Sequence, residues 1–316
     1  MTNHDPTALW HWFLFQSGLP TQRAKALLDT WQAQALPLAE ALAAPAQAPG
    51  LTSAERQQLQ PPATLPSVQA LRWDEYLYPA QLRALPLALR PALLFYQGDV
   101  TLLRHPLLYL PPGMFTEAER QRAREVCALI VGEGDLPWAI HGSESAQLLI
   151  ATLQESEGQL ALLSPCGLEL LQLNAAERQL LADDRLLLLT PLPPTFAANP
   201  ALDKVLEQIA GAAATRCLLI GDEQRVLIEG KPTLHLTTEA HDPAEALVWL
   251  AEGIAAAATP PSSPPPAPTT TSAELGDPPT EPPPTPQETL QLLQQGGRVP
   301  PALRRRLLGS DSRETD

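Results

Sequence analysis

"LLYLPPGMFTEAERQRAREVCALI", residues 107–130, holds one complete building unit of the fold. Four apolar residues at 107–110 suit a short strand buried on both faces. Pro111 and Pro112 end it, since proline has no N–H to donate to a ladder. Thr116 then stands three residues before Glu119. In that capping-box spacing the hydroxyl accepts a first-turn N–H and the carboxylate reaches back to the cap. Ala123, Val126, Cys127 and Ile130 follow at helical spacing along one face. The stretch therefore reads as strand, turn and capped amphipathic helix.

The same grammar repeats downstream. "LPWAIHG" (136–142) is a strand followed by the helix of "SESAQLLIATLQES". "QLALLSPCG" (159–167) is another strand, and Asn174 caps a short helix through Glu177. "RLLLLT" (185–190) leads to the helix of "NPALDKVLEQIAGAAA", then the strand "TRCLLIGD" (215–222). "PTLHLTT" and the helix of "PAEALVWLAEGIAAAA" close the series. Short apolar runs alternating with amphipathic helices predict an α/β domain with a doubly wound, mostly parallel sheet.

Upstream, residues 1–70 read as an N-terminal helical domain. "LWHWFLFQSGLPTQRAKALLDTW" breaks at Gly18-Leu19-Pro20 into an αα-hairpin. The hairpin corner lacks a Gly-x-Gly, so packing against the sheet is the preferred role for Trp10, Trp12, Phe13 and Phe15. Stacking of these rings on nucleic-acid bases is the alternative. Downstream of the α/β domain (71–258), residues 259–287 are expected to be a disordered linker. Twelve of the chain's 36 prolines lie in 260–286, with no Lys or Arg between them. Residues 288–316 are expected to form a short helical tail.

Charge is spread unevenly over the 316 residues, whose net charge is −14. Residues 71–258 carry 13 basic and 24 acidic side chains, net −11. Such a field repels a phosphate backbone at long range and counts against generic nucleic-acid binding. No apolar run reaches the roughly 18–20 residues of a membrane helix, and residues 1–6 lack the basic start of a secretory signal. A cytoplasmic protein with no membrane partner is expected. Cys127, Cys166 and Cys217 are far apart, inside apolar runs, without C-x-x-C spacing, and read as buried thiols.

The residues before the first βα unit carry a resemblance. "WDEYLYPAQLRALPLALRPALLFYQGDVTLL" (73–103) is similar to the approach to the Rossmann-like domain of the DNA-processing protein A (DprA/Smf) family. Tyr78-Pro79, Leu82, Pro91, Leu94-Phe95, Gly98-Asp99 and Leu102-Leu103 fall in the family's places. "ALLSPCGLELL" resembles its strand and Gly-Leu-Asp turn, "LLLLTPLPP" its strand and Pro-Pro turn, and "TFAANPALDKVLEQIAGAAATRCLLI" its following helix and strand. The resemblance covers about residues 71–237 and implies a Rossmann-like sheet. It also implies non-catalytic single-stranded DNA binding in recombination or DNA uptake (natural transformation), a recombinase as a further partner, and a homodimer.

In the family a crevice at the carboxyl ends of the strands holds the ligand. The matching positions here are Gly113, Thr116, His141, Gly142, Ser143, Gly167, Asn199 and Lys204. The chain departs from the family there. Pro111-Pro112-Gly113-Met114 replaces a Gly-Ser-Arg turn, and Ala201-Leu202-Asp203-Lys204 replaces an Arg-Asn-Arg, leaving Lys204 as the lone nearby cation. Two further readings follow: a crevice binding a nucleotide-type small ligand through helix N-termini, or a scaffold acting through protein contacts.

No catalytic set is present. Ser143 and Ser164 lack a nucleophile elbow. Asp183-Asp184 suits a solvated corner better than a metal pair, and His235 a satisfied strand position. Gly132 and Gly134 suit a helix C-terminus rather than a dinucleotide fingerprint. Arg304–Arg306 suit a solvated helix face or a contact with DNA. No enzyme activity, metal or cofactor is expected.

Overall fold

The computed structural model describes residues 5–130, 135–220, 231 and 233–236. All belong to one compact unit, Met1–Leu247; a second, Val248–Asp316, lies outside the described residues. The expected helix after 242, the linker, the tail, Arg304–Arg306, Gly132 and Gly134 therefore lie outside them too, as does the side chain of His235.

Four helices open the chain: α1 (Pro6–Phe15), α2 (Thr21–Ala33), α3 (Leu38–Ala43) and α4 (Ser53–Gln58). Next come β1 (Ala70–Arg72), α5 (Ala80–Arg83) and β2 (Leu93–Gln97). The alternating series is β3 (Leu107–Leu110), α6 (Glu117–Ile130), β4 (Leu136–Ile140), α7 (Glu144–Gln154), β5 (Leu160–Leu163), α8 (Ala175–Ala182), β6 (Leu186–Thr190), α9 (Asp203–Ala213), β7 (Arg216–Ile220) and β8 (Thr233–Leu236). The expected strands and helices of 107–220 all form. Both capping boxes form as well, at Thr116/Glu119 and Asn174/Glu177.

The eight described strands make one sheet in the order β1-β2-β6-β5-β4-β3-β7-β8. The six from β6 to β8 run parallel. The stretch read from sequence as a lead-in supplies β2, which pairs antiparallel with β6, and β1 adds antiparallel beyond it. An Asp99 carboxylate caps the turn that follows, accepting from Thr101 N at 2.9 Å. The Gly98-Asp99 turn needs its glycine: at φ +100° a Cβ would lie 2.3 Å from Leu186 O.

Successive strand residues face opposite sides. Leu107, Tyr109, Trp138, Leu163, Leu187 and Leu189 share a core with Leu206 and Ile209 of α9. Leu108, Ala139, Leu162 and Leu188 point the other way, and α7 and α8 pack on β4–β6 there. Strands β3 to β7 are buried on both faces, as their continuous apolar runs required.

The N-terminal helices join the first of these faces. Trp10 meets Trp73 edge-on with centroids 5.6 Å apart, and Phe13 meets Trp31 at 5.4 Å. The described part of the stretch 1–70, residues 5–70, thus shares one continuous hydrophobic core with the sheet. Trp10, Trp12 and Phe13 are buried in it, whereas Phe15 stays half-exposed. Cys127, Cys166 and Cys217 are buried free thiols, as expected. An ion pair is buried at the amino ends of the strands beside β3: Arg216 of β7 with Asp135, which precedes β4. Burial, the largest influence on Asp135, raises its pKa, and the nearby Arg216 opposes it.

Candidate functional site

Parallel strands bring their carboxyl ends to one edge, so the turns after β3, β4, β5 and β6 lie side by side there. In doubly wound sheets ligands bind at this edge, where the strand order reverses. Here the order reverses at β3, which has β4 on one side and β7 on the other. The sequence candidates all follow these strands: Gly113 and Thr116 after β3, His141–Ser143 after β4, Gly167 after β5, Asn199 and Lys204 after β6.

The two helix starts are engaged by the protein itself. Thr116 N donates to Glu119 Oε2 at 2.6 Å, and Phe115 N donates to Glu144 Oε2 at 3.1 Å. Glu144 Oε1 also takes Arg120 Nε at 2.6 Å, and Arg120 bonds Glu117 at 3.1 Å. Two carboxylates therefore sit where the N-terminus of α6 would attract an anion. At α7, Ser143 Oγ accepts from Ala146 N at 3.1 Å and donates to Ile140 O at 2.7 Å. Ser145, fully buried, ties the α7 start to the β3 turn by donating to Pro111 O at 2.5 Å.

The remaining candidates have local partners or stand apart. His141 Nε2 lies 3.1 Å from Glu177 Oε1, out of line for a hydrogen bond. Glu177 is buried and its other oxygen accepts from Asn174 N at 2.8 Å. Gly142 has φ +83° with nothing near a notional Cβ. Asn199 Oδ1 accepts from Ala201 N at 3.0 Å, capping a single 3-10 turn, Pro200–Leu202. Lys204 is exposed on the first turn of α9, next to Asp203. Gly167 serves close packing: a Cβ there would fall 2.1 Å from Pro194 O and 2.2 Å from Pro193 O. Its N–H donates to Phe196 O at 2.8 Å, which fixes the Pro-Pro turn against it.

That turn builds a concavity on the same edge. A groove of about 920 Å³ opens between α1, the end of β2, and the turns after β5 and β6. His11 and Phe15 line it from α1, Tyr96 and Gln97 from β2, Glu169 from the β5 turn and Phe196 from the β6 turn. No local pattern announces this groove, because five segments far apart in sequence supply its walls, residues 66–69 before β1 among them. The Leu-Pro-Pro-Thr-Phe turn and Phe15 were visible separately. No group of His, Cys, Asp or Glu among the described residues is arranged to hold a metal. Asp183 and Asp184 are exposed at the corner after α8, with Asp184 at φ +55°.

No protein-family model matches the chain, and no curated protein matches it. A solved structure does. The crystal structure of DNA processing protein A (DprA) from Streptococcus pneumoniae superposes with a TM-score of 0.58 at 14% identity, covering 79% of this chain and 93% of that one. The fold is that of DprA. The expected Rossmann-like domain is therefore present, and the coverage is too broad to be the sheet alone. A DprA structure from Helicobacter pylori, described for its mode of binding single-stranded DNA, aligns at 14% identity with a TM-score of 0.36. It covers 51% of this chain and 68% of that one. No described helix is long and apolar enough to cross a membrane.

Proposed function

We propose that this chain is a DprA-like DNA-processing protein that contacts single-stranded DNA without catalysing a reaction, and that it serves recombination or DNA uptake by handing that DNA to a recombinase. One observation carries the reading: the fold likeness to DprA extends over 93% of the Streptococcus pneumoniae chain. The matching residues before the first parallel strand agree with it. Tyr78 donates from Oη to Pro91 O at 2.7 Å, and Leu82 and Leu94 are fully buried, so these positions hold the antiparallel edge in place.

A second reading has its own observation. Glu119 and Glu144 sit on the α6 start, and that favours a scaffold whose crevice takes no phosphate. Fluorescence anisotropy of a labelled oligodeoxynucleotide across a salt series separates the two. Binding whose log K falls linearly with log salt supports the DNA reading. Absence of binding at low salt overturns it in favour of the scaffold.

A further inference from the structure

The groove beside α1 has the chemistry of a site for a flat, uncharged, hydrogen-bonding ring. Three rings cluster at its α1 wall. His11 lies 5.6 Å from Phe15 and 5.8 Å from Phe95, and Phe15 lies 6.2 Å from Phe95. Phe196 on the opposite side is 36% exposed, which leaves an apolar ring face in water. A phenyl ring so placed has a π-face available for stacking.

The polar groups decide the ligand class. His11 is 7% exposed, yet its Nδ1 is buried without a hydrogen-bond partner. Burial also lowers the His11 pKa, which works against a cation on this wall. Gln16, Gln69 and Gln97 bring amides that both donate and accept, and Glu169 brings an acceptor. None of the groove's described lining residues is Lys or Arg. A phosphate or carboxylate would meet Glu169 with no cation to balance it. A ring bearing an exocyclic amino group meets acceptors instead, and a glutamine amide pairs well with an adenine edge. The volume of about 920 Å³ lies within the range of small-molecule sites.

We infer that this groove binds an amino-bearing nucleobase, adenine or cytosine, by stacking against Phe196 and hydrogen bonding to the glutamine amides and Glu169. The base belongs either to a free nucleoside or to an unpaired residue of a single strand, and the second source rests on the DNA reading above.

Isothermal titration of the full chain with adenosine, cytidine, thymidine and adenosine 5′-monophosphate tests the site. Anisotropy with oligodeoxyadenylate and oligothymidine tests the source. Adenosine and cytidine should bind and thymidine should bind at least several-fold more weakly. The monophosphate should bind no better than adenosine. Phe196→Ala removes an exposed ring and should weaken adenosine about tenfold, in line with the contribution of one base–aromatic stack. Glu169→Gln should narrow the gap between adenosine and its monophosphate.

Nucleoside binding without oligonucleotide binding supports the groove with a free nucleoside as ligand, and overturns the DNA reading. Oligodeoxyadenylate binding that Phe196→Ala weakens by the same factor supports the groove with a single strand as source. Oligonucleotide binding that ignores Phe196→Ala, with no nucleoside binding, overturns the groove and leaves the DNA reading standing. Saturable binding of a proline-rich peptide in place of any nucleoside also overturns it, because aromatic grooves take such peptides by a different mode.

Discussion

Gly167→Ala tests whether the glycine after β5 approaches a ligand or another loop. The new Cβ would lie 2.1 Å from Pro194 O and 2.2 Å from Pro193 O, both main-chain atoms. Ordinary carbon–oxygen contact needs more than 3 Å, so the two loops must separate by about 1 Å. Two hydrogen bonds cross this seam: Gly167 N to Phe196 O at 2.8 Å and Glu169 N to Pro194 O at 3.1 Å. Losing or stretching both costs about 1–3 kcal/mol, and overpacking adds about 1–3 kcal/mol. The sum, about 2–6 kcal/mol, should lower Tm by about 4–24 °C for a unit of this size. Differential scanning calorimetry in buffer without nucleic acid measures it, with Gly142→Ala as comparison. Position 142 has open space and only its φ of +83° to oppose a side chain, so it should lose about 1–2 kcal/mol. A Gly167→Ala protein melting within 1 °C of the wild type would refute the packing account and return this glycine to the ligand-approach role.

Leu163→Asp places a carboxyl on a fully buried β5 position registered between Ile140 and Leu189. It should cost more than about 5 kcal/mol through lost burial and an unpaired polar group, and an unchanged urea midpoint would show that β5 is not central. Arg216→Met leaves Asp135 buried without the guanidinium beside it and should destabilise by about 3–5 kcal/mol at neutral pH. The loss should shrink as pH falls and Asp135 takes up a proton; a pH-independent loss would mean the pair is not the cause. Lys25 is 6% exposed, and burial, with Arg90 nearby, pulls its pKa down to about 8. Its protonated form is penalised only in the folded state. Wild-type stability should therefore be lowest below pH 8 and rise toward pH 10.5, where the unfolded chain titrates. Lys25→Met should remove that slope and gain about 1–2 kcal/mol at pH 7 after allowance for solvent near the ammonium. Lys25 Nζ donates to Ala88 O at 3.1 Å, and in the variant that oxygen keeps Gln22 Nε2 as donor at 3.3 Å. A variant that retains the slope would refute the assignment.

The sequence by itself determined what neighbouring residues decide. The apolar runs at 107–110, 136–140, 160–163, 186–190 and 216–220 are strands because each is short and bounded by residues that break a strand, and capped helices follow the first three. Thr116 with Glu119 and Asn174 with Glu177 form their boxes because three residues of helix bring the two groups together wherever the helix sits. The lead-in residues pointed to the fold because they keep a set order along the chain.

Tertiary structure decided everything that depends on residues far apart. Glu144 is 29 positions from Phe115, and nothing local says that its carboxylate will take that N–H and Arg120 together. Gly167 looked like a residue for close ligand approach, and the backbone it approaches belongs to Pro193 and Pro194. The helical start of the chain read as a separate domain because its own periodicity is complete, yet Trp10 and Phe13 complete the sheet's core. The groove is the furthest case. Phe15, Tyr96, Glu169 and Phe196 become one surface only when α1, the antiparallel edge and two strand-end turns meet. A pattern within one segment reports the face that segment buries, and does not identify the segment on the other side.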